Sequence, residues 1–488
     1  MPLPNLDYTG HPLLDVGLAT LTAFAHKRHP RQLTEDDLQK AADYMARNYV
    51  INPLKSFFTV AFPNSGYSQV AYDKDPAKRQ TYIQNVLRAF GAEPTTEIDP
   101  FIGQPAAAVT YDVKGELPIG RAYRQHIPLT TGEGYINFHS GGDAGIPLNG
   151  ATMLAFQAMP LGCAKVGGRL LAVHSDDPAL MLHFARSFLE TNQRNILAVQ
   201  TAGGDKLPET SPRKARTTLI EHLLDAEKMN ASEEEGDISK PLTAYYFTNS
   251  GQGAELEILP LPLEVGKFLK SLLSPQYKTE WDALVARGWQ MTQAKKGEEA
   301  PTPAYNRLYE DLFSLPQDAP TFIRRYFLRR KVGSIWGKED PTQTYNPLHE
   351  SYLISWNLTQ LFLKKVLLME DTRIQHIRNL GDALATYIVT QNDKKFFNAF
   401  WMTRSYGEMR MALLRASNAE VRRGNPPIIT LDQFLAIFEM GENIPHADWK
   451  LGRDLVLIRL FEQLHAQDWL QHNAAEIETL ANQDDESE

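Results

Sequence analysis

Residues Tyr135–Ser175, YINFHSGGDAGIPLNGATMLAFQAMPLGCAKVGGRLLAVHS, decide the fold class. An aromatic, strand-like run enters a glycine-rich loop, Gly141-Gly142-Asp143-Ala144-Gly145. The apolar segment Ala151–Met159 then reads as a short buried helix. A second glycine turn, Gly167-Gly168, leads into Leu170–Val173, which reads as a buried strand. The loop can bring backbone N–H groups close to an anion or a base edge, because glycine reaches positive φ and carries no Cβ.

Outward from this stretch the same mixed texture continues. Toward the N-terminus, Leu13–Phe24 is an apolar helical run with Asp15 near its positive end. Thr34, with Asp37 three residues on, caps a second helix whose inner stripe is Leu38, Ala41, Ala42 and Met45. Phe57–Phe62 reads as a strand entering the turn Pro63-Asn64-Ser65-Gly66. Ala77–Phe90 reads as a helix. Ala106–Tyr111 and Tyr123–Ile127 read as strands flanking a Lys114-Gly115 turn. Asp176 or Asp177 caps a helix running through Asn192. Tyr245–Phe247 is a strand entering a second Asn-Ser-Gly turn, Asn249-Ser250-Gly251, and Leu256–Leu259 alternates like its partner strand.

After Pro262 helices dominate. Helical patterns cover His349–Leu368, Ile374–Thr390, Asp393–Arg422, Leu431–Glu439 and Leu451–Leu470. The expectation is an α+β chain, with a mixed N-terminal α/β body over residues 1–340 and a C-terminal all-α helical bundle over 341–488.

Composition narrows the function. The formal charge of −9 argues against indiscriminate nucleic-acid binding but leaves room for local basic faces. One cysteine, Cys163, excludes an intrachain disulfide and a cysteine-based zinc site, and no cofactor is implied. The start, MPLPNLDYTG, lacks the basic end and apolar run of a secretory signal, and no stretch is apolar for the ~20 residues of a membrane span, so a cytoplasmic protein is expected. Gly162–Arg169 has the glycine spacing of a phosphate loop without its Lys-Ser/Thr pair. His139, Ser140 and Asp143 are too close in sequence for a catalytic triad, and there is no GxSxG elbow.

Two basic clusters stand out. Phe322–Lys331 mixes aromatics with Arg324, Arg325, Arg329, Arg330 and Lys331, a combination suited to phosphates and stacked bases, or equally to a core helix with a solvated face. Arg404, Arg415 and Arg422 recur at spacings that return to one side of a helix, extended by Lys394 and Lys395; Glu408 and Glu420 offer the competing reading of a salt-bridged surface.

Four stretches, in order, carry a family resemblance: Tyr8–Gly17 (YTGHPLLDVG), Phe62–Gly66 (FPNSG), the glycine-rich unit through His174, and Phe247–Ile258 (FTNSGQGAELEI). Together they resemble the large subunit of type I-B CRISPR effector (Cascade) complexes, over much of the chain up to about Pro262. The resemblance implies a non-catalytic subunit of an RNA-guided antiviral ribonucleoprotein. Its implied partners are the guide CRISPR RNA, the target double-stranded DNA and displaced strand, the backbone and handle-binding subunits, a small subunit, and a helicase-nuclease or a transposition adaptor. It also implies recognition of a protospacer-adjacent motif, a division of labour known for guided effectors. Within it, Asn64, Ser65, Asn249, Ser250 and the Gly141-Gly142 loop, supported by Asn137 and Asn149, are expected near the motif duplex. Met369, between two helical patterns, is a candidate internal start for a separate small subunit. The competing class is an enzyme acting on a small molecule or nucleotide in the glycine-rich 139–169 pocket.

Overall fold

Eleven of the thirteen residues of the Pro12–Phe24 helix are buried. A helix apolar on every side must be enclosed by other elements, and here the helices Gly150–Ala158 and Pro178–Thr201 and the strand Arg169–Ser175 enclose it. In the computed structural model, which describes residues 6–132, 144–209, 214–230, 240–249, 253–291, 302–333, 340–439 and 448–486, the chain divides into two compact units, Met1–Leu263 and Glu264–Glu488. Helix makes up 58% of the structure and strand 10%, which places it in the α+β class.

In the first unit the central contact is a close approach of two helices. A Cβ at Gly17 would lie 2.1 Å from the Ala155 carbonyl oxygen, so only glycine admits that spacing. The polar groups of the buried helix are satisfied locally. Thr20 and Thr22 donate to the Val16 and Leu18 carbonyls, each at 2.7 Å. The Asp15 carboxylate accepts from the Thr9 and Gly10 amides at 2.7 and 2.8 Å and meets His174 Nε2 at 3.2 Å. The Tyr8–Gly17 stretch is thus a capping loop folded onto its own helix.

Beside this core lies an antiparallel sheet in the order Ala164–Val166, Arg169–Ser175, Leu242–Thr248, Glu255–Leu261. Gly167 and Gly168, at φ of 55° and 78°, make the two-residue turn between its first strands. Thr34 and Asp37 form a complete capping box, and Asp177 caps a helix that runs to Thr201, nine residues beyond the expected end at Asn192.

Two expected strands are not there and a third is shortened. Leu54–Phe57 is α-helical and Phe58–Val60 continues as a 3-10 turn. Its buried positions, Leu54, Phe57, Phe58, Ala61 and Phe62, follow a helical spacing that five aromatic and β-branched residues disguise. Tyr123–Ile127 is a turn closed by the amides of His126 and Ile127 on the Tyr123 carbonyl. Of Ala106–Tyr111 only Pro105–Ala107 is strand, and it pairs with Pro94–Ile98; the Lys114-Gly115 turn is instead gathered by the Asp112 carboxylate, which accepts from the Gly115, Glu116 and Leu117 amides.

The second unit is helical around Trp449–Ala466, which packs on Asp371–Gln391, Leu431–Phe438 and Trp469–Glu486. Its beginning at Glu264 corrects the boundary expected near 340. Phe362 packs its ring on Phe268, Phe322 and Phe327, and Glu350 takes Arg287 and Arg329, so residues on both sides of 340 share one core. The expected Asp393–Arg422 helix is two, Lys394–Trp401 and Tyr406–Arg422, because Ser405 and Glu408 form a capping box that starts a new helix. Among the described residues no helix is long and apolar enough to cross a membrane.

Two predictions follow from this packing. Gly17→Ala should destabilise the protein by about 1–3 kcal/mol, whereas Gly91→Ala, with open space at its Cβ, should stay within about 0.5 kcal/mol; urea unfolding measures both. His126 is fully buried, with Nε2 2.7 Å from the Tyr111 carbonyl and Nδ1 accepting from the Tyr123 amide, an arrangement that needs the neutral ring. Burial pushes its pKa down from 6.5 to about 4. The unfolded chain therefore takes up a proton that the folded chain refuses, and stability should fall as pH drops from about 6.5 toward 4. An NMR titration of the His126 ring in the folded protein with a midpoint near 6.5 would contradict this.

Candidate nucleic-acid interface

The Phe322–Lys331 cluster is divided by its backbone into two fates. Ile323–Phe327 is a π-helical turn and Arg329 has φ 56°, so the segment does not present one continuous basic face. Phe322, Tyr326 and Phe327 point into the core, where Phe322 stacks on Phe362 at 5.3 Å, and none is offered to a base. Arg325 is buried against Asp311. Arg329 is fully buried, donates to Glu350 at 2.8 and 3.1 Å, and lies 3.5 Å above the Tyr345 ring. Both are structural cations, contrary to the expectation that they pair with phosphates.

Arg324, Arg330 and Lys331 turn the other way. They meet Arg404, from the connection before the Tyr406–Arg422 helix, and Lys450 and Arg453, from the N-terminal end of Trp449–Ala466. The six line an open pocket of about 480 Å³ with Val332, Gly333, Met402 and Thr403, and among the described residues no carboxylate lines it. Beneath it the buried Asp454 accepts from Arg324 at 2.6 and 2.9 Å and from Arg453 at 2.7 and 3.2 Å. One carboxylate thus orients two guanidiniums. Among the described residues Arg330, Lys331 and Lys450 have no carboxylate within ion-pair distance. Burial, and then the Arg453 and Arg324 guanidiniums, hold the Arg330 pKa below its ordinary value. The pocket is therefore strongly electropositive.

A groove of about 900 Å³ adjoins the pocket and shares Met402, Thr403 and Arg404 with it. It follows the Tyr406–Arg422 helix, with Lys395 and Arg415 among its lining residues and Phe396, Met411, Ala412, Ala416 and Ala419 providing apolar surface. Asp393 and Glu408 also line it. The arginine stripe read from the sequence is only partly there. Arg404 lies outside the helix, Arg422 is exposed beyond the groove, and Lys394 pairs with Glu476.

The polar turns of the first unit divide similarly. Asn64 is exposed at φ 63°, a left-handed position that Asn tolerates. Ser65 is buried, beside the Tyr82 hydroxyl at 3.4 Å and accepting from the Tyr67 amide. Asn249 is fully buried. Its amide N–H donates to the Val60 carbonyl at 2.7 Å, its Nδ2 to Ala61 at 2.9 Å, and its Oδ1 accepts from Arg124 Nε at 3.0 Å. Asn149 caps the Gly150–Ala158 helix and donates to the Pro105 carbonyl at 3.0 Å. Ser65, Asn149 and Asn249 are thus held by the protein itself, a correction to their expected place at a DNA edge. Asn137, Gly141, Gly142 and Ser250 lie outside the described residues, as do His139, Ser140 and Asp143.

The near-miss phosphate loop is the sheet hairpin. Lys165 is held by the Leu207 carbonyl at 2.6 Å and Glu209 at 3.0 Å, and Gly162 is packed against Thr20. Cys163 is buried, which pushes its thiol pKa well up. Among the described residues no group of His, Cys, Asp and Glu is placed to hold a metal ion.

Lys450 and Arg453 are the site residues that sequence reading missed. A signal existed for Lys450, a cation in the first turn of a helix, where the partial positive charge of the N-terminus disfavours it. A local rule broken in this way marks a position with another role. No protein-family model, no curated protein and no solved structure matches the chain.

The division between structural and site residues is testable by stability. Arg329→Gln breaks a buried pair and should cost about 3–5 kcal/mol, while Arg330→Gln should leave the unfolding midpoint unchanged or raise it. Asn249→Ala should cost about 2 kcal/mol or more, against less than about 1 for Asn64→Ala. Equal losses within either pair would reverse the assignment.

Proposed function

We propose that this chain is the non-catalytic large subunit of a cytoplasmic RNA-guided DNA-surveillance complex of the type I-B kind, and that the pocket and groove of residues 264–488 hold nucleic-acid backbone. The observation that carries the reading is convergence. Two basic segments far apart in sequence, 324–331 and 404–415, supply one pocket and its adjoining groove, joined there by Lys450 and Arg453. In a chain of net charge −9, so concentrated a cationic surface needs a polyanionic ligand to account for it.

The same reading assigns the remaining functions of such a subunit: contact with the guide-RNA handle, reading of the adjacent motif, opening of the duplex, and recruitment of a helicase-nuclease or of transposition proteins. For the motif it now rests on the exposed Asn64. The enzyme alternative in the 139–169 stretch is weakened by Lys165, which is engaged by Glu209, and by Cys163, which is buried. Met369 lies in the connection between the helices Trp356–Lys365 and Asp371–Gln391. A product starting there would keep Arg404, Lys450 and Arg453 but lack Arg324, Arg330 and Lys331, so the complete pocket would belong to the full-length chain alone.

Co-expression with the neighbouring genes should bring a processed RNA along with the protein; purification of the assembled partners without RNA would sink the assignment. At the site, replacing Lys331 and Lys450 by Ala should flatten the log–log salt dependence of single-strand binding by ~0.7 per lost phosphate contact, and Arg422→Ala should not change it. Asn64→Ala should relax motif preference more than it weakens general DNA binding, and equal loss on all motif variants would count against that role.

A further inference from the structure

We propose that the cationic pocket is a receptor for a phosphate monoester, the terminal phosphate of a nucleic-acid strand, with the end nucleoside lying in the adjoining groove. The inference rests on the nucleic-acid reading of this site and adds which part of the strand the pocket takes.

Geometry separates a strand end from a strand interior. A backbone is a row of singly charged diesters and is matched by cations spaced along a track. Here most of the cations converge instead: Arg324, Arg330, Lys331, Arg404, Lys450 and Arg453 face one space of about 480 Å³, and Lys395 and Arg415 continue along the groove. A terminal phosphate carries about −1.5 to −2 charges and three strong acceptor oxygens on one phosphorus, so it matches converging donors where a diester does not. Guanidiniums suit it best, since their planar forks meet two oxygens at once. Two of the four arginines are held by Asp454, which is 1% exposed, so they are oriented before any ligand arrives. Arg330, which among the described residues has no carboxylate within ion-pair distance, is disfavoured as a cation first by burial and then by the Arg453 and Arg324 guanidiniums, and an anion in the pocket offsets both.

The groove supplies the second half of the ligand. It opens from the same residues, Met402, Thr403 and Arg404. Along it Ala412, Ala416 and Ala419 recur at helical spacing, leaving a shallow apolar strip beside Phe396 and the half-exposed Met411. Small side chains next to an aromatic ring and a polarisable thioether leave room for a flat base. Charge at one end and an apolar strip leading away from it describe a nucleotide at a strand terminus better than either feature alone.

The test uses the full-length chain and one short oligonucleotide with an internal fluorophore, prepared with a 5′-phosphate, with a 3′-phosphate, and with hydroxyls at both ends. Anisotropy at about 0.1 M salt should show one phosphorylated form binding about tenfold more tightly than the hydroxyl form. Arg330→Gln combined with Lys331→Gln should abolish that difference, and Lys331→Glu with Lys450→Glu, both solvent-side changes, should do the same if the first pair folds poorly. Three forms binding equally, and weakened equally by the substitutions, would overturn the terminal-phosphate inference while leaving the backbone reading intact. Binding insensitive to all four substitutions would remove nucleic acid from this site and overturn both. Displacement of the phosphorylated strand by AMP at equal concentration would overturn the strand end as occupant and assign the pocket to a free nucleotide.

Discussion

A single buried carboxylate, Asp454, organises the cationic pocket of this protein. It is 1% exposed and accepts from Arg324 on one side and Arg453 on the other. A carboxylate in such a place is tolerable only when its charge and lone pairs are satisfied, and here two guanidiniums do so. The pairing also has a geometric effect. It ties the 319–333 segment to the start of the Trp449–Ala466 helix, and those two segments form two walls of the cationic pocket. Arg453 additionally donates to the Thr403 carbonyl, which anchors the third wall and places Arg404 at the junction with the groove.

The chain carries many arginines, and the structure sorts them by burial. Arg325 and Arg329 are enclosed with Asp311 and Glu350. Breaking such a pair leaves an uncompensated buried charge, so these residues hold the helical unit together. Among the described residues Arg330, Lys331 and Lys450 have no such anchor, and they face the pocket. The two kinds alternate within a few residues of each other. Arg329 and Arg330 are neighbours in sequence with opposite roles, because the left-handed residue and π-turn around them point successive side chains to opposite sides.

The first unit shows the same contrast in polar turns. Asn249 fixes the end of the Leu242–Thr248 strand onto the Val60-Ala61 backbone, only a few residues before Asn64. Asn249 and the turn that bears Asn64, far apart in sequence, are thereby brought to one stretch of backbone. One is consumed in joining the strand to the helical turn, and the other stays in solvent. The glycines are equally divided. Gly17 and Gly162 are required by close approach of their neighbours, whereas Gly167 and Gly168 are required by the positive φ of a hairpin turn.

Much of the architecture was legible in the sequence wherever a signal is carried by residues a few positions apart. The apolar Leu13–Phe24 run, the Thr34–Asp37 box, the Asp177 cap, the Gly167-Gly168 turn and the buried Ala151–Met159 helix, observed at Gly150–Ala158, all depend on local spacing, and all are found. Phe57–Phe62 misled because aromatic content favoured a strand while the buried positions ran at helical period. The two basic segments were visible as composition, but not which of their cations are available. That choice is made by carboxylates more than a hundred residues distant, as between Arg324 and Asp454, or across the apparent boundary at 340, as between Arg329 and Glu350. Sequence determined the elements and the presence of concentrated positive charge. Only the tertiary structure decided which cations are neutralised and which converge, because an ion pair depends on distance in space.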